Sequence, residues 1–148
     1  MKKFLFITLF LSLACGYADQ VSNNQSNNNH YTPLNNSISL NNIRMNVIHT
    51  DASGVVNHET IFYFSESNGV ISAEYSGGKI SQGFLVGKFT NDNQLVFSYC
   101  QMQVDGKLDF GTSQCTVSRA NNGKIILTEH FEWASRPGEF GTNIFQEM

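Results

Sequence analysis

From Asn41 to Met148 the chain alternates short apolar runs with polar turns at a steady interval. Seven turn signals follow one another: Asp51-Ala-Ser-Gly54, Ser67-Asn-Gly69, Ser76-Gly-Gly78, Asn91-Asp-Asn93, Asp105-Gly106, Asn121-Asn-Gly123 and Arg136-Pro-Gly138. The segments around them are rich in Ile, Val, Phe, Tyr and Thr, and none carries a helical repeat. This pattern predicts strands over about Ile43–His49, Glu59–Ser65, Val70–Tyr75, Ile80–Phe89, Leu95–Gln103, Leu108–Arg119, Lys124–Trp133 and Asn143–Glu147. Turns this short force antiparallel neighbours and leave no room for crossover helices. The fold expected is all-β: an eight-stranded antiparallel up-and-down β-barrel, with a twisted open sheet or a sandwich as the fallback.

Alternation assigns the faces. Leu95, Phe97, Tyr99 and Gln101 share one face of the fifth strand. A two-residue turn at Asp105-Gly106 pairs Val104 with Lys107 and puts Phe110, Thr112 and Gln114 on that same face. Ile125, Leu127, Glu129, Phe131 and Trp133 form the apolar side of the seventh strand. These sets are expected to point inward, giving an aromatic interior with a few polar groups. A buried Glu129 then needs a hydrogen-bond partner, water or a ligand.

The first residues read differently. Lys2-Lys3, an apolar run from Phe4 to Ala14 and a small-residue exit have the form of a secretory signal too short to anchor a membrane. Two processing fates are open: cleavage after Ala18 (signal 1–18), or a lipobox at Ser12-Leu-Ala-Cys15 that makes Cys15 a lipidated first residue (signal 1–14). Residues 19–42, with nine Asn between Gln20 and Asn42, are expected to form a flexible tether. Residues 43–148 are expected to form the barrel. Export to the periplasm, the outer membrane as a lipoprotein, or the medium follows from either fate.

Charge removes some function classes. The formal net charge is −3, and loss of Lys2 and Lys3 with the leader brings it near −5. No basic cluster remains to neutralise phosphate, so nucleic acid is not an expected partner, and a membrane is reached only through a lipid anchor. In an exported chain Cys100 and Cys115 invite a disulfide. With the two-residue turn they share a face but stand four residues apart along the strands, roughly 13 Å, beyond the ~7 Å a bridge allows. No bond is expected.

A run of motifs then becomes familiar: Thr60-Ile-Phe, Ala73-Glu-Tyr-Ser-Gly-Gly-Lys-Ile80, Gly83-Phe-Leu-Val-Gly-Lys88, Leu95-Val-Phe-Ser-Tyr99, Asp105-Gly-Lys-Leu108, Gly111-Thr-Ser-Gln-Cys115 and Leu127-Thr-Glu-His-Phe-Glu-Trp133. From about Asn46 to Met148 the chain resembles a family of small bacterial proteins often labelled "N-acetylglutamate synthase", which look avidin-like or lipocalin-like in fold. It departs from them in its exported N-terminus and Asn-rich tether, in Phe131 where a Trp is common, and in the turn Gly138-Glu-Phe-Gly141. The residues do not support acetyl transfer. Binding a coenzyme A pyrophosphate takes backbone amides opening a helix, and Ser76-Gly-Gly78 reads as a hairpin turn.

Other chemistry is weakly signalled. Glu129 and Glu147 could act as a carboxylate pair in a hydrolase, but nothing else suggests a sugar cleft. His49, Asp51, His58 and Glu59 flank the first hairpin without the fixed spacing of metal ligands. No nucleophile elbow is present. No catalytic residue, metal or cofactor is therefore assigned. The aromatic set is either a filled core or the wall of a ligand cup, and the polar groups among the rings favour the cup. The leading expectation is an exported, non-enzymatic, small-ligand-binding barrel with Tyr75, Tyr99, Gln101, Thr112, Glu129 and Trp133 lining the site. The alternative is a protein-binding module of the cell envelope, an inhibitor or immunity-like protein, acting through the loops Asp51–Asn57 or Ser135–Gly141.

Overall fold

The computed structural model describes residues 38–148. The expectations for the leader, Cys15 and most of the tether lie outside the described residues. Eight strands follow one another: β1 (Arg44–Thr50), β2 (Ile61–Ser67), β3 (Val70–Gly77), β4 (Ile80–Asn91), β5 (Gln94–Gln103), β6 (Leu108–Arg119), β7 (Ile125–Trp133) and β8 (Phe140–Glu147). Each pairs antiparallel with the next, and β8 pairs with β1, closing the barrel. The all-β, eight-stranded antiparallel up-and-down architecture read from the turn spacing is the fold observed.

The turns work as their residues dictate. Asn68 and Gly69 both take positive φ, which sets the tight hairpin between Ser67 and Val70. At β5–β6 the connection is one residue longer than the two-residue turn expected. Gln103 donates its N–H to Lys107 O at 2.8 Å, so Val104-Asp105-Gly106 is a three-residue loop, with Gly106 at φ 87°.

That single residue moves a face. Cys100 pairs with Phe110, not Gly111, and Leu95 pairs with Cys115. Asp109, Gly111, Ser113, Cys115 and Val117 therefore point inward, while Phe110, Thr112 and Gln114 point outward. The inward assignment of those last three is corrected, because a one-residue slip exchanges every side chain between faces. The two thiols are free: Cys115 is buried and Cys100 exposed, on opposite sides of the wall. The absence of a bridge was expected, but its reason is facing rather than the distance along one face.

The two ends of the barrel differ. The end holding the β2–β3 and β6–β7 hairpins is apolar and dry, with Met45, Ile71, Leu95, Ile125 and Leu127 fully buried. Leu40 joins them at 0 % exposure. It is held there by Glu66, whose Oε2 accepts from Ser39 Oγ at 2.8 Å and from Leu40 N at 3.1 Å. The packed domain thus begins ahead of residue 43, and residues 38–42 are part of it rather than of a tether. Leu40→Ala is expected to cost about 2–5 kcal/mol. Urea unfolding checks this; a tether residue would leave the midpoint unchanged.

Candidate functional site

The other end is built from four connections: the loop Asp51–Thr60 and the β3–β4, β5–β6 and β7–β8 turns. Just below them lies a cavity of about 20 Å³, lined by Val55, Val56, Phe62, Tyr75, Leu85, Tyr99, Gln101, Glu129, Phe131, Trp133 and Asn143. Five of the six residues singled out from the sequence, Tyr75, Tyr99, Gln101, Glu129 and Trp133, stand around this one space. Thr112 does not; the β5–β6 register puts it on the outer surface.

Period-2 alternation delivers these five side chains from three different strands, β3, β5 and β7. Tyr75 of β3 stacks on Phe62 of β2 with ring centroids 4.2 Å apart. It lies flat because its cross-strand partner is Gly83, where any Cβ would collide with the ring. Tyr75 donates its hydroxyl to Gln101 Oε1 at 3.0 Å. Gln101 is only 3 % exposed, and its Nε2 has no hydrogen-bond partner. A buried amide donor left unpaired costs about 1–3 kcal/mol, so this group is poised to meet an acceptor.

Glu129 is the carboxyl group that lines this space. Ser113 Oγ lies 2.5 Å from its Oε1, and Asn143 Nδ2 donates to its Oε2 at 2.7 Å. Asn143 is fixed in turn by Thr50, which donates to its Oδ1 at 2.6 Å. Burial pushes the carboxyl above its ordinary range, and the two hydrogen bonds only partly oppose this. Ser113 and Asn143 each donate to this carboxyl, so both of its oxygens are satisfied inside the barrel. Burial, with Glu129 nearby, also pushes the Tyr75 and Tyr99 hydroxyls and the Cys115 thiol upward, so all three stay protonated. Cys115 is thus a buried, inert thiol.

Trp133 closes the rim. Its indole N–H donates to Ser53 O at 3.1 Å, so it holds the covering loop rather than pointing a free donor into the space. Outside, the Arg136 guanidinium carbon stacks on the indole 3.9 Å from the ring centroid. Arg136 Nε is 3.4 Å from Asp109, a carboxylate with no exposure. Asp109 also accepts from Gln103 at 2.6 Å and Ser135 at 3.2 Å, and faces Lys107 at 3.6 Å. The covering loop is pinned further by Asp51. Its N–H donates to Thr142 O at 3.0 Å, and its Oδ2 accepts from Thr142 N at 2.8 Å. That backbone N–H, with His49 beside it, holds the Asp51 carboxyl below the usual range.

The remaining candidates separate. Glu147 accepts from Ile125 N at 2.9 Å. Asn143 is the register partner of Glu129, so Glu147 stands four residues further along β8, roughly 13 Å from it. His49 pairs with Asp51 at 3.2 Å, whereas His58 and Glu59 are exposed. Among the described residues no three His, Cys, Asp or Glu side chains gather as metal ligands. His130 points outward, 3.2 Å from Thr142 Oγ1.

Sequence reasoning missed Asn143, Ser113, Val55 and Val56. Asn143 was within reach, since stepping by two from the inward Phe145 lands on it. Val55-Val56 was also visible, as the one apolar pair in a polar loop. Ser113 was lost with the register of β6.

No curated protein and no solved structure gives a significant match to the chain. The family model described as avidin-like protein matches residues 38–148, from just ahead of the buried Leu40 through β8. The match spans the whole barrel, its plugged end and its polar end alike, and the chain belongs to the avidin-like protein family.

Proposed function

We propose that this protein is a non-enzymatic small-ligand-binding barrel whose site lies under the Asp51–Asn57 loop and is closed in the conformation seen. One observation carries the reading: buried polar groups from β3, β5, β7 and β8 converge on one void, and one of them, Gln101 Nε2, has no partner. A core with no ligand to meet is better satisfied by apolar side chains. The family adds support, since avidin-like barrels bind small molecules such as biotin.

The void of about 20 Å³ holds about one water, whereas ligand sites run to some hundreds of Å³. Ligand entry therefore displaces Val55 and Val56, the only side chains the loop contributes to the lining. The ligand these walls suit is small and uncharged in the buried part, with a carbonyl or other acceptor for Gln101 and an apolar face for Tyr75, Tyr99 and Trp133. A charged group would lose its hydration in the same enclosed space whose burial pushes the Glu129 carboxyl upward. Export, with or without lipidation at Cys15, is part of this proposal and rests on residues 1–18 alone.

The test is Trp133 fluorescence and native mass spectrometry against biotin and a panel of small neutral amides and ureas. Saturable binding is expected. Gln101→Leu should weaken it about tenfold, the worth of one hydrogen bond of about 1–1.5 kcal/mol. Val56→Ala should quicken association by loosening the cover. A panel without a binder, and no adduct carried from the cell, would turn the assignment to the second reading. That reading is a protein-binding module of the cell envelope acting through Asp51–Asn57 or Ser135–Gly141. Its support is the near-filled interior, which leaves those loops as the available surface.

A further inference from the structure

The outer wall of β2 to β4 carries one row unlike its neighbours. Tyr63 is the cross-strand partner of Glu74, and Glu74 of Phe84, so a carboxylate stands between two aromatic side chains. All three point outward, with Tyr63 52 % and Phe84 48 % exposed. In the next row, two residues along the strands, Ser65 and Ser72 are partners with their hydroxyl oxygens 3.4 Å apart. These short side chains leave a groove of about 380 Å³ beside the carboxylate, with Tyr63, Ser65, Ser72, Glu74 and Phe84 among its walls. That volume lies in the range of small-molecule sites, ~300–1,000 Å³.

Neighbouring strands lie ~4.8 Å apart, so Tyr63 and Phe84 rise from stems ~10 Å apart with Glu74 midway. A charge held over Glu74 is then ~5 Å from each ring, inside the ~6 Å reach of a cation–π contact. One of the rings already serves in this way. Arg44, the β1 partner of Tyr63, places its guanidinium carbon 5.3 Å from the Tyr63 ring centroid. Arg44 comes from the β1 side, while on the β3 side Tyr63 borders the groove. The Glu74 carboxylate enters none of the ion pairs formed among the described residues.

We propose that this groove binds an organic cation, an alkylated ammonium or a guanidinium, seated on Glu74 between the Tyr63 and Phe84 rings. The same side chains disfavour the other ligand classes. An anion meets the carboxylate. A neutral apolar ligand strips water from that carboxylate and returns no interaction in its place. A hard metal ion takes about six or more oxygens, and this row offers it one carboxylate. Among the described residues no three His, Cys, Asp or Glu side chains gather here or elsewhere. An organic cation spreads its charge over a bulky or planar group. It satisfies the carboxylate by charge and both rings through their negative faces. The acidic balance of the chain, a formal net charge of −3, favours the approach of such a ligand over any anion.

The test titrates the whole chain with choline and with its neutral isostere 3,3-dimethyl-1-butanol, followed by amide NMR at low salt. Choline should give saturable shifts at Glu74 and Phe84 with a Kd on the order of 1 mM, weakening as salt is raised. The neutral isostere should give none. Glu74→Gln, Tyr63→Leu and Phe84→Leu should each weaken choline about three- to fivefold, the worth of one exposed ion-pair or cation–π contact. Phe140→Leu, at an exposed ring on β8, should leave it unchanged. All four positions are exposed, and circular dichroism verifies that the barrel stays folded. N-acetylargininamide, run beside choline, separates the two sources of such a cation. Tighter binding of choline identifies a free small cation, and tighter binding of the arginine derivative identifies a protein side chain. Binding of neither would overturn the proposal. So would equal shifts from the neutral isostere, or an affinity indifferent to both Glu74→Gln and Phe84→Leu. A choline response that moves Trp133 and the interior amides instead would overturn it too. None of these readings depends on a ligand in the barrel.

Discussion

Trp133→Ala is expected to destabilise the barrel by about 3–5 kcal/mol, the range for removing a large buried aromatic side chain. The indole is 3 % exposed and packs edge-on against Tyr99 at 5.3 Å and Phe131 at 5.6 Å. Its removal opens a hole at the rim, takes the stacked partner from Arg136 and leaves Ser53 O without its donor. Trp133→Phe separates these effects. It keeps most of the packing and an aromatic face for Arg136, but loses the N–H to Ser53. It should cost little more than about 1 kcal/mol from the hydrogen bond itself. Its distinctive result is local: the Gly54 amide, bonded to Asp51 O inside the loop, should exchange with solvent faster while core strand amides keep their protection. Circular dichroism in urea gives the first number, since Trp133 is the only Trp in the chain and its fluorescence is lost with it. Equal protection of Gly54 in wild type and Trp133→Phe would show that the loop is held without the indole.

Glu129→Gln is expected to change the pH dependence of stability more than its size. In the folded barrel the carboxyl titrates above its ordinary 4.5. Between 4.5 and that raised value the native state keeps a proton that the unfolded chain has released. Its contribution is therefore complete below about pH 4.5 and declines as pH rises, by about 1.4 kcal/mol for each unit of upward displacement. A glutamine reproduces the neutral acid. Its amide donates to Ser113 Oγ and its oxygen accepts from Asn143, with no proton to lose. The variant should match wild type near pH 4, exceed it increasingly as pH rises, and hold a constant advantage above the raised value. The two proteins differ at this one group, so the difference curve isolates Glu129. Glu129→Ala should instead cost about 2–4 kcal/mol near pH 4, because Ser113 and Asn143 are left buried without their partner, and this cost shrinks as pH rises and wild type itself loses stability. Parallel curves for wild type and Glu129→Gln would mean the carboxylate is charged and solvated in the fold.

Both residues were identifiable from alternation in one strand. β7 reads Ile125, Leu127, Glu129, Phe131, Trp133 on one side, and a charge in that series had to be satisfied inside the barrel. Tyr99 and Gln101 on β5 followed by the same reasoning. Their gathering around one space was expected from closure, because strands separated in sequence face one another across a barrel. Thr112 failed for a reason internal to β-structure. Asp105-Gly106 is compatible with a loop of two residues or of three, local preferences separate the two weakly, and parity carries the difference along all of β6.

What the sequence by itself determined is the strand count, the antiparallel order, the closed barrel and the inward faces of β5 and β7. Each depends on period-2 alternation and turn residues, which act over a few positions. Tertiary structure alone decided the register of β6, the burial of Leu40, the pairing of Glu129 with Ser113 and Asn143, and the closing of the mouth by Val55 and Val56. It also decided that Tyr63, Glu74 and Phe84 stand in one row. Those outcomes depend on which atoms meet across the barrel or along its wall. They are selected by space and unsatisfied hydrogen bonds between distant parts of the chain, and no local pattern encodes them.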